Sequence, residues 1–168
     1  MPAGAPAPAL VLLPGMDGSS DLFAAFVAAL GDAVTPLVVS YPADQVLGYE
    51  GLVDFARTRL PAGQAWVLLG ESFSGPVAIA LAAERPPGLC GMILSGTFRG
   101  IDIPVLYLQA AHDRVVGRAA ARHIEWLLHS VKVVELRGPH LRLQAAPLDA
   151  ATAVRQFVNQ SVAVAGPV

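Results

Sequence analysis

Trp66-Val67-Leu68-Leu69-Gly70-Glu71-Ser72-Phe73-Ser74-Gly75 leads directly into Pro76-Val77-Ala78-Ile79-Ala80-Leu81-Ala82-Ala83. The first four residues are an apolar run with the length of a buried strand. The last eight form a helix-like run with proline at its start, where the missing N–H costs nothing. Between them small residues, Gly70 and Ser74, stand two before and two after the hydroxyl of Ser72. A strand that turns at once into a helix exposes the residue at the turn. It also aims the helix's N-terminal N–H groups at any negative charge that develops there. A serine hydroxyl is a weak nucleophile, so it needs a base, and the base needs a carboxylate to hold its tautomer.

The same alternation extends in both directions. Short apolar runs lie at Leu10–Leu13, Pro36–Tyr41, Gly91–Ser95, Val105–Leu108 and Val131–Leu136. Helical spacing is found at Leu22–Leu30, Tyr49–Leu60, Arg118–Leu128 and Leu148–Val158. Six continuously apolar strands separated by helices predict an α/β fold. Its sheet is mostly parallel and covered by helices on both faces. No repeat or linker divides the chain, so residues 9–160 are expected to form one domain, with a loose lead-in at 1–8 and a tail at 161–168. Such sheets bind ligands at the carboxyl ends of their strands, which directs attention to the strand-to-helix loops.

Composition narrows the function. Of 168 residues 54% are hydrophobic and 14% charged, which argues against disorder. A net charge of -2 gives no global basic field, so nucleic acid is not an expected partner. No run of 18 apolar residues is present, so no membrane span is expected. One cysteine, Cys90, rules out a disulfide framework and a cysteine-based metal cluster. The Pro- and Ala-rich start lacks the basic residues of a secretory signal, and a lone thiol suits a reducing compartment, so a cytoplasmic location is expected. Abundant Ala, Gly and Pro with a single Lys suggest a GC-rich bacterial gene.

Gly70-Glu71-Ser72-Phe73-Ser74, with Gly75 next, resembles the Gly-x-Ser-x-Gly nucleophile elbow of the α/β-hydrolase superfamily. Ser74 replaces the second glycine of the motif, and a small side chain there is compatible with the turn. The superfamily orders its residues Ser, then Asp or Glu, then His. Asp113 follows the Val105 strand in Gln109-Ala-Ala-His-Asp-Arg-Val-Val116, and His140 follows the Val131 strand in Arg137-Gly-Pro-His140. Both fall at the carboxyl edge, with Ser72. Leu12-Leu13-Pro14-Gly15-Met16-Asp17-Gly18 resembles the superfamily's oxyanion loop, with Pro14 where His is frequent. By position, the backbone N–H groups of Met16 and Phe73 would form the oxyanion hole. The resemblance spans about residues 9–160.

It implies a serine hydrolase that cleaves short-chain or soluble carboxylic esters through an acyl-enzyme, with Ser72, Asp113 and His140 as catalytic residues. Neither metal nor cofactor is implied, and the partner is a small-molecule ester. Leu141 and Leu143 are candidate pocket residues. Acyl transfer on the same residues, or ligand binding without catalysis, are the alternatives. Glu71, Asp17, His112, His123, His129 and Cys90 are read as structural or surface residues, and Asp102 as an acid at the wrong edge of the sheet.

One stretch departs from the superfamily pattern. Only Gly96–Ile103 separates the Gly91 strand from Pro104, too little for a helix or an inserted cap domain. A cap-less domain is therefore expected. The absent helix should bare Met92, Leu94, Val105 and Tyr107, or their neighbours on the alternate face. A homodimer packed through that region is expected to cover them.

Overall fold

The computed structural model describes residues 7–95, 103–113, 115, 116 and 131–165. Six strands and five α-helices are described along them: β1 (Ala9–Leu13), α1 (Ala24–Leu30), β2 (Thr35–Val38), α2 (Tyr49–Arg57), β3 (Trp66–Glu71), α3 (Gly75–Ala83), β4 (Leu89–Ser95), β5 (Val105–Ala110), β6 (Val131–Leu136), α4 (Arg142–Ala145) and α5 (Pro147–Ala165). The strands form one sheet in the order β2-β1-β3-β4-β5-β6, and every pairing is parallel. Leu12 lies opposite Leu69, Glu71 opposite Ser95, and Ala110 opposite Leu136. The strand ends that lead into the Ser72, Asp113 and His140 loops therefore share one edge.

Two apolar layers sandwich the sheet because successive side chains point to opposite faces. Val11, Leu68, Met92, Leu94, Val105 and Tyr107 cluster with Leu52 and Ala56 of α2 and with Val77 and Leu81 of α3. Leu10, Val67, Leu69, Ile93, Leu106 and Leu108 cluster with Phe26 and Leu30 of α1 and with Val154, Phe157 and Val158 of α5. No helix among the described residues is long and apolar enough to cross a membrane.

The expected bare face does not exist. Met92, Leu94, Val105 and Tyr107 are buried within a single chain, as are Ile93, Leu106 and Leu108 on the other face. Side chains of α3, with Ile103, Val131 and Val133, pack into the first of these clusters. With these residues already covered, their burial does not require a second chain. The short connection itself, with Phe98, Ile101 and Asp102, lies outside the described residues, as do the Arg118–Leu128 helix, His123 and His129.

Several boundaries shift for identifiable reasons. Strand β2 stops at Val38, and the chain leaves the sheet as Tyr41 N–H turns to the carbonyl of Gly18. The last helix outruns Val158 and takes in part of the expected tail, because Gly91 lets it settle on β4. A Cβ on Gly91 would lie 3.0 Å from Ser161 Oγ and 3.1 Å from the Phe157 ring. Short α4 has no periodic signature and was not expected.

Gly88 sets the entry to β4. Its φ is 81°, and a Cβ there would lie 2.3 Å from the Gln64 carbonyl oxygen. Gly63 also has a positive φ, 69°, but nothing within 4 Å. Gly88→Ala is therefore expected to lower the unfolding free energy by about 2–4 kcal/mol, combining strain with a backbone clash. Gly63→Ala should cost about 1 kcal/mol, from backbone conformation alone. Urea unfolding of both variants checks this; equal losses would show that the clash is relieved at no cost.

Candidate active site

Strand β3 runs to Glu71, and Ser72 stands between it and α3 with φ of 45°. This left-handed conformation is unusual for a residue with a Cβ. It is imposed by the abrupt change from strand to helix. The reversal also brings α3 close to β3, so a Cβ on Gly70 would lie 2.7 Å from that of Ala78 and 3.0 Å from the Ser74 carbonyl oxygen. Only glycine fits at position 70.

Ser74, the departure from the motif, is fully buried. Its hydroxyl donates to the Pro14 carbonyl and lies 2.7 Å from Tyr41 Oη. With its proton committed to Pro14, Ser74 accepts from Tyr41. Burial pushes the Tyr41 phenol up in spite of the Ser74 bond, keeping it a donor. The elbow is thus tied to the loops after β1 and β2. The β1 loop is further shaped by a Gly18 N–H bond to the Gly15 carbonyl and by Asp17, which accepts from the Ser19 hydroxyl. Met16 lies within this loop, with its side chain exposed. Phe73 begins the first turn after Ser72, where N–H groups lack partners within a helix. Its ring stacks on Tyr49 at 5.3 Å.

Asp113 leaves β5 and is nearly inaccessible, its side chain 1% exposed. Its Oδ1 accepts the N–H groups of Val115 and Val116, both at 2.8 Å. Its Oδ2 faces His140 Nδ1 at 2.9 Å and Arg142 Nη2 at 3.1 Å. Burial by itself would push this carboxyl up. The Val116 N–H, the His140 ring and the Val115 N–H outweigh it and hold the group below its ordinary value. His140 Nε2 lies 3.0 Å from Ser72 Oγ. With Nδ1–H donating to Asp113, Nε2 is the acceptor, placed to take the Ser72 proton. The loops carrying Asp113 and His140 continue the ladder of β5 and β6. Ala111 N–H bonds to Leu136 O, and His112 N–H to Gly138 O.

Glu71 is buried beside this line but does not bond to Ser72. Its Oε2 accepts from Gln144 Nε2 at 3.2 Å, and Oε1 is buried without a partner. Burial pushes the carboxyl up, with Asp17 adding to this and Gln144, Arg142 and His140 opposing it. Arg142 was not anticipated. It is fully buried and bonds to Ser95 Oγ at 3.0 Å as well as to Asp113. Its only signal is a lone basic residue in the apolar stretch after His140.

The two candidate pocket residues differ in burial. Leu143 is fully buried in the α1–α5 layer, a core position that α4 imposes by turning it inward. Leu141 is half-exposed beside His140. An open hollow of about 520 Å³ instead adjoins His140 and is lined by His112, Val115, Gly138 and Pro139. Met16, Leu22, Val46, Tyr49, Val115, Leu141 and Leu148 are exposed large apolar residues on the loops and helix starts of this same edge. Cys90 is a buried strand residue whose thiol bonds to the Gly88 carbonyl.

If the Ser74 hydroxyl is a tie, restoring the motif's glycine is harmful. Ser74→Gly strips the Pro14 carbonyl and the Tyr41 hydroxyl of their partner, and a loss of about 1–3 kcal/mol is expected. Thermal or urea unfolding that matches the parent would show that the bonds contribute nothing.

No protein-family model matches the chain, and no curated protein matches it in sequence. Solved structures do. ClbQ from the colibactin NRPS/PKS pathway superposes with a TM-score of 0.79 at 13% identity, over 94% of this chain and 99% of that one. The type II thioesterase BorB from the borrelidin biosynthetic cluster gives 0.76 at 16% identity, over 94% and 95%. The carboxylesterase CesB from Bacillus subtilis gives 0.73 at 13% identity, over 90% and 84%. At such identities the likeness speaks for architecture alone. Together with the all-parallel sheet and the strand–Ser72–helix turn, it shows that this chain has the fold of the α/β-hydrolase superfamily.

Proposed function

We propose that the chain is a serine hydrolase that cleaves carboxylic esters through an acyl-enzyme. The observation that carries this reading is the hydrogen-bonded line from Ser72 Oγ through His140 to Asp113, 3.0 and 2.9 Å long, with Ser72 held in left-handed backbone. Such a line is costly to assemble by chance, since its residues come from three separate strands and one of them is strained.

Ser72 Oγ attacks the ester carbonyl as His140 Nε2 takes its proton. Negative charge develops on the carbonyl oxygen, where the Met16 and Phe73 N–H groups donate to it. Asp113 orients the ring and stabilises the imidazolium. Collapse of the tetrahedral intermediate breaks the ester C–O bond, and His140 returns the proton to the departing alcohol. Water then attacks the acyl-enzyme, gives its proton to His140, and the acid leaves as Ser72 is reprotonated. No step draws on a metal or cofactor. Glu71 takes no proton in this scheme, because its bonded oxygen faces Gln144 and not Ser72.

The hollow beside His140 adjoins the group that must protonate the leaving alcohol, and its open shape suits short or soluble esters. An acyl thioester would be cleaved by the same steps, and one of the similar structures is a thioesterase, so thioesters belong in the substrate panel.

A fluorophosphonate probe is expected to label the parent at Ser72. Ser72→Ala should abolish labelling and lower turnover of p-nitrophenyl acetate by about 10⁴-fold or more, since the three residues act as a unit. Parent-like turnover in that variant would end the serine-hydrolase reading. Adding an alcohol to the assay and analysing the products separates hydrolysis from acyl transfer.

A further inference from the structure

Arg142 has no part in the steps above, yet it is a fully buried cation whose two bonded nitrogens reach two different strand ends. Nη1 donates to Ser95 Oγ at the end of β4, at 3.0 Å, and Nη2 donates to Asp113 Oδ2 at 3.1 Å. Asp113 Oδ2 is also the oxygen nearer the imidazole, 2.9 Å from His140 Nδ1. A shared oxygen places the guanidinium within about 6 Å of the ring, close enough for one charge to act on the other. Among the described residues, this is the bond that links Ser95 to the Ser72–His140–Asp113 line. Its bond to Arg142 makes β4 a fixed anchor for the cation.

Asp113 does not need Arg142 to be hydrogen-bonded. Val115 and Val116 already serve Oδ1, and His140 serves Oδ2. What the guanidinium adds is a permanent positive charge, since arginine does not deprotonate in proteins. Among the described residues, the groups facing the imidazole are Asp113 from the β5 loop, Glu71 from the end of β3, Arg142 from α4, and His112 across the hollow. Tyr107 of β5 and Glu71 are also close to Arg142. Among these, Arg142 is the fixed cation on the acid's own oxygen.

We propose that Arg142 is a positioning residue that shares Asp113 Oδ2 with His140, fixing the carboxylate and tempering the negative charge it offers to the imidazolium. The kinetic consequence rests on the serine-hydrolase reading; the hydrogen-bond consequence does not. With the cation removed, Asp113 stabilises the imidazolium more strongly. The base is then protonated at higher pH, and the acid side of the activity profile moves upward.

The test compares Arg142→Met and Arg142→Lys with the parent, using two readouts. One is kcat/KM for p-nitrophenyl acetate against pH. The other is the far-downfield proton resonance of the His140 Nδ1–H bond to Asp113. In Arg142→Met the acid limb should rise by about one pH unit, the lower end of what a neighbouring charge does. The resonance should move further downfield, as Oδ2 loses a competing donor. Arg142→Lys, which keeps the charge, should return both toward the parent. A folded Arg142→Met with the parent's limb and resonance overturns the proposal, and so does a parent without the resonance. If Arg142→Met does not fold, Ser95→Asp sets a carboxylate against Nη1 and must raise the limb and shift the resonance in the same direction; no movement overturns the proposal equally. A parent that neither hydrolyses esters nor reacts with the fluorophosphonate would refute the hydrolase reading, and the resonance alone then decides the role of Arg142.

Discussion

Ser72 holds a φ of 45°, which costs a residue with a Cβ roughly 1–2 kcal/mol, and the surrounding structure leaves it no alternative. Strand β3 is fixed on both sides, by β1 up to Gly70 and by β4 up to Glu71. Helix α3 is fixed by burying Val77, Ala78, Leu81 and Ala82 against the sheet. The segment joining two such elements must turn within a residue or two, and Gly70 allows the helix to approach closely enough to make that turn. The hydroxyl is thereby lifted off the sheet edge toward His140. Loosening either support would relax the turn and lower the hydroxyl into the loop.

Polar groups behind the turn serve the same end in a different way. Asp113, Arg142, Glu71, Ser74 and Ser95 are all buried, and each has at least one defined hydrogen bond. Such bonds add little net stability, because water supplies them in the unfolded chain. Their value is geometric. A carboxylate with four donors around it has one orientation, and the ring it faces has one tautomer. The apolar layers hold the sheet together, while this buried polar seam along its carboxyl edge decides where each reacting atom points.

The parts legible in the sequence are those that depend on local pattern. Apolar runs of four to six residues mark the strands. The Ser72 turn, and the positions of Asp113 and His140 just past strand ends, follow from the same pattern because a parallel sheet brings those ends together. What escaped was decided by contacts distant in sequence. Arg142 looks like a stray surface charge until Ser95 and Asp113 are placed beside it. Ser74 reads as a mere small residue until Tyr41 and Pro14 arrive from β2 and β1. The burial of Leu143 is not legible because four-residue α4 has too little periodicity to show which side faces inward. The bare face over Met92 and Tyr107 was an inference from a missing helix, and those residues are buried in a cluster that includes α3, Ile103 and Val131.

The strand order carries a cost in time. Strand β1 is made first, yet it lies between β2 and β3, and its pairing with Trp66–Gly70 waits for all the intervening chain. Parallel pairing of distant segments is slow, because the entropy of closing a long loop is lost before any contact offsets it. During that wait Ala9–Leu13, uncharged and wholly buried in the finished fold, is an apolar strand with an unpaired edge. The segment that leads into the β1 loop is thus also one prone to pairing with a neighbouring unfinished chain. Crowded synthesis of this protein would meet its hazard at the first strand, well before the elbow has formed.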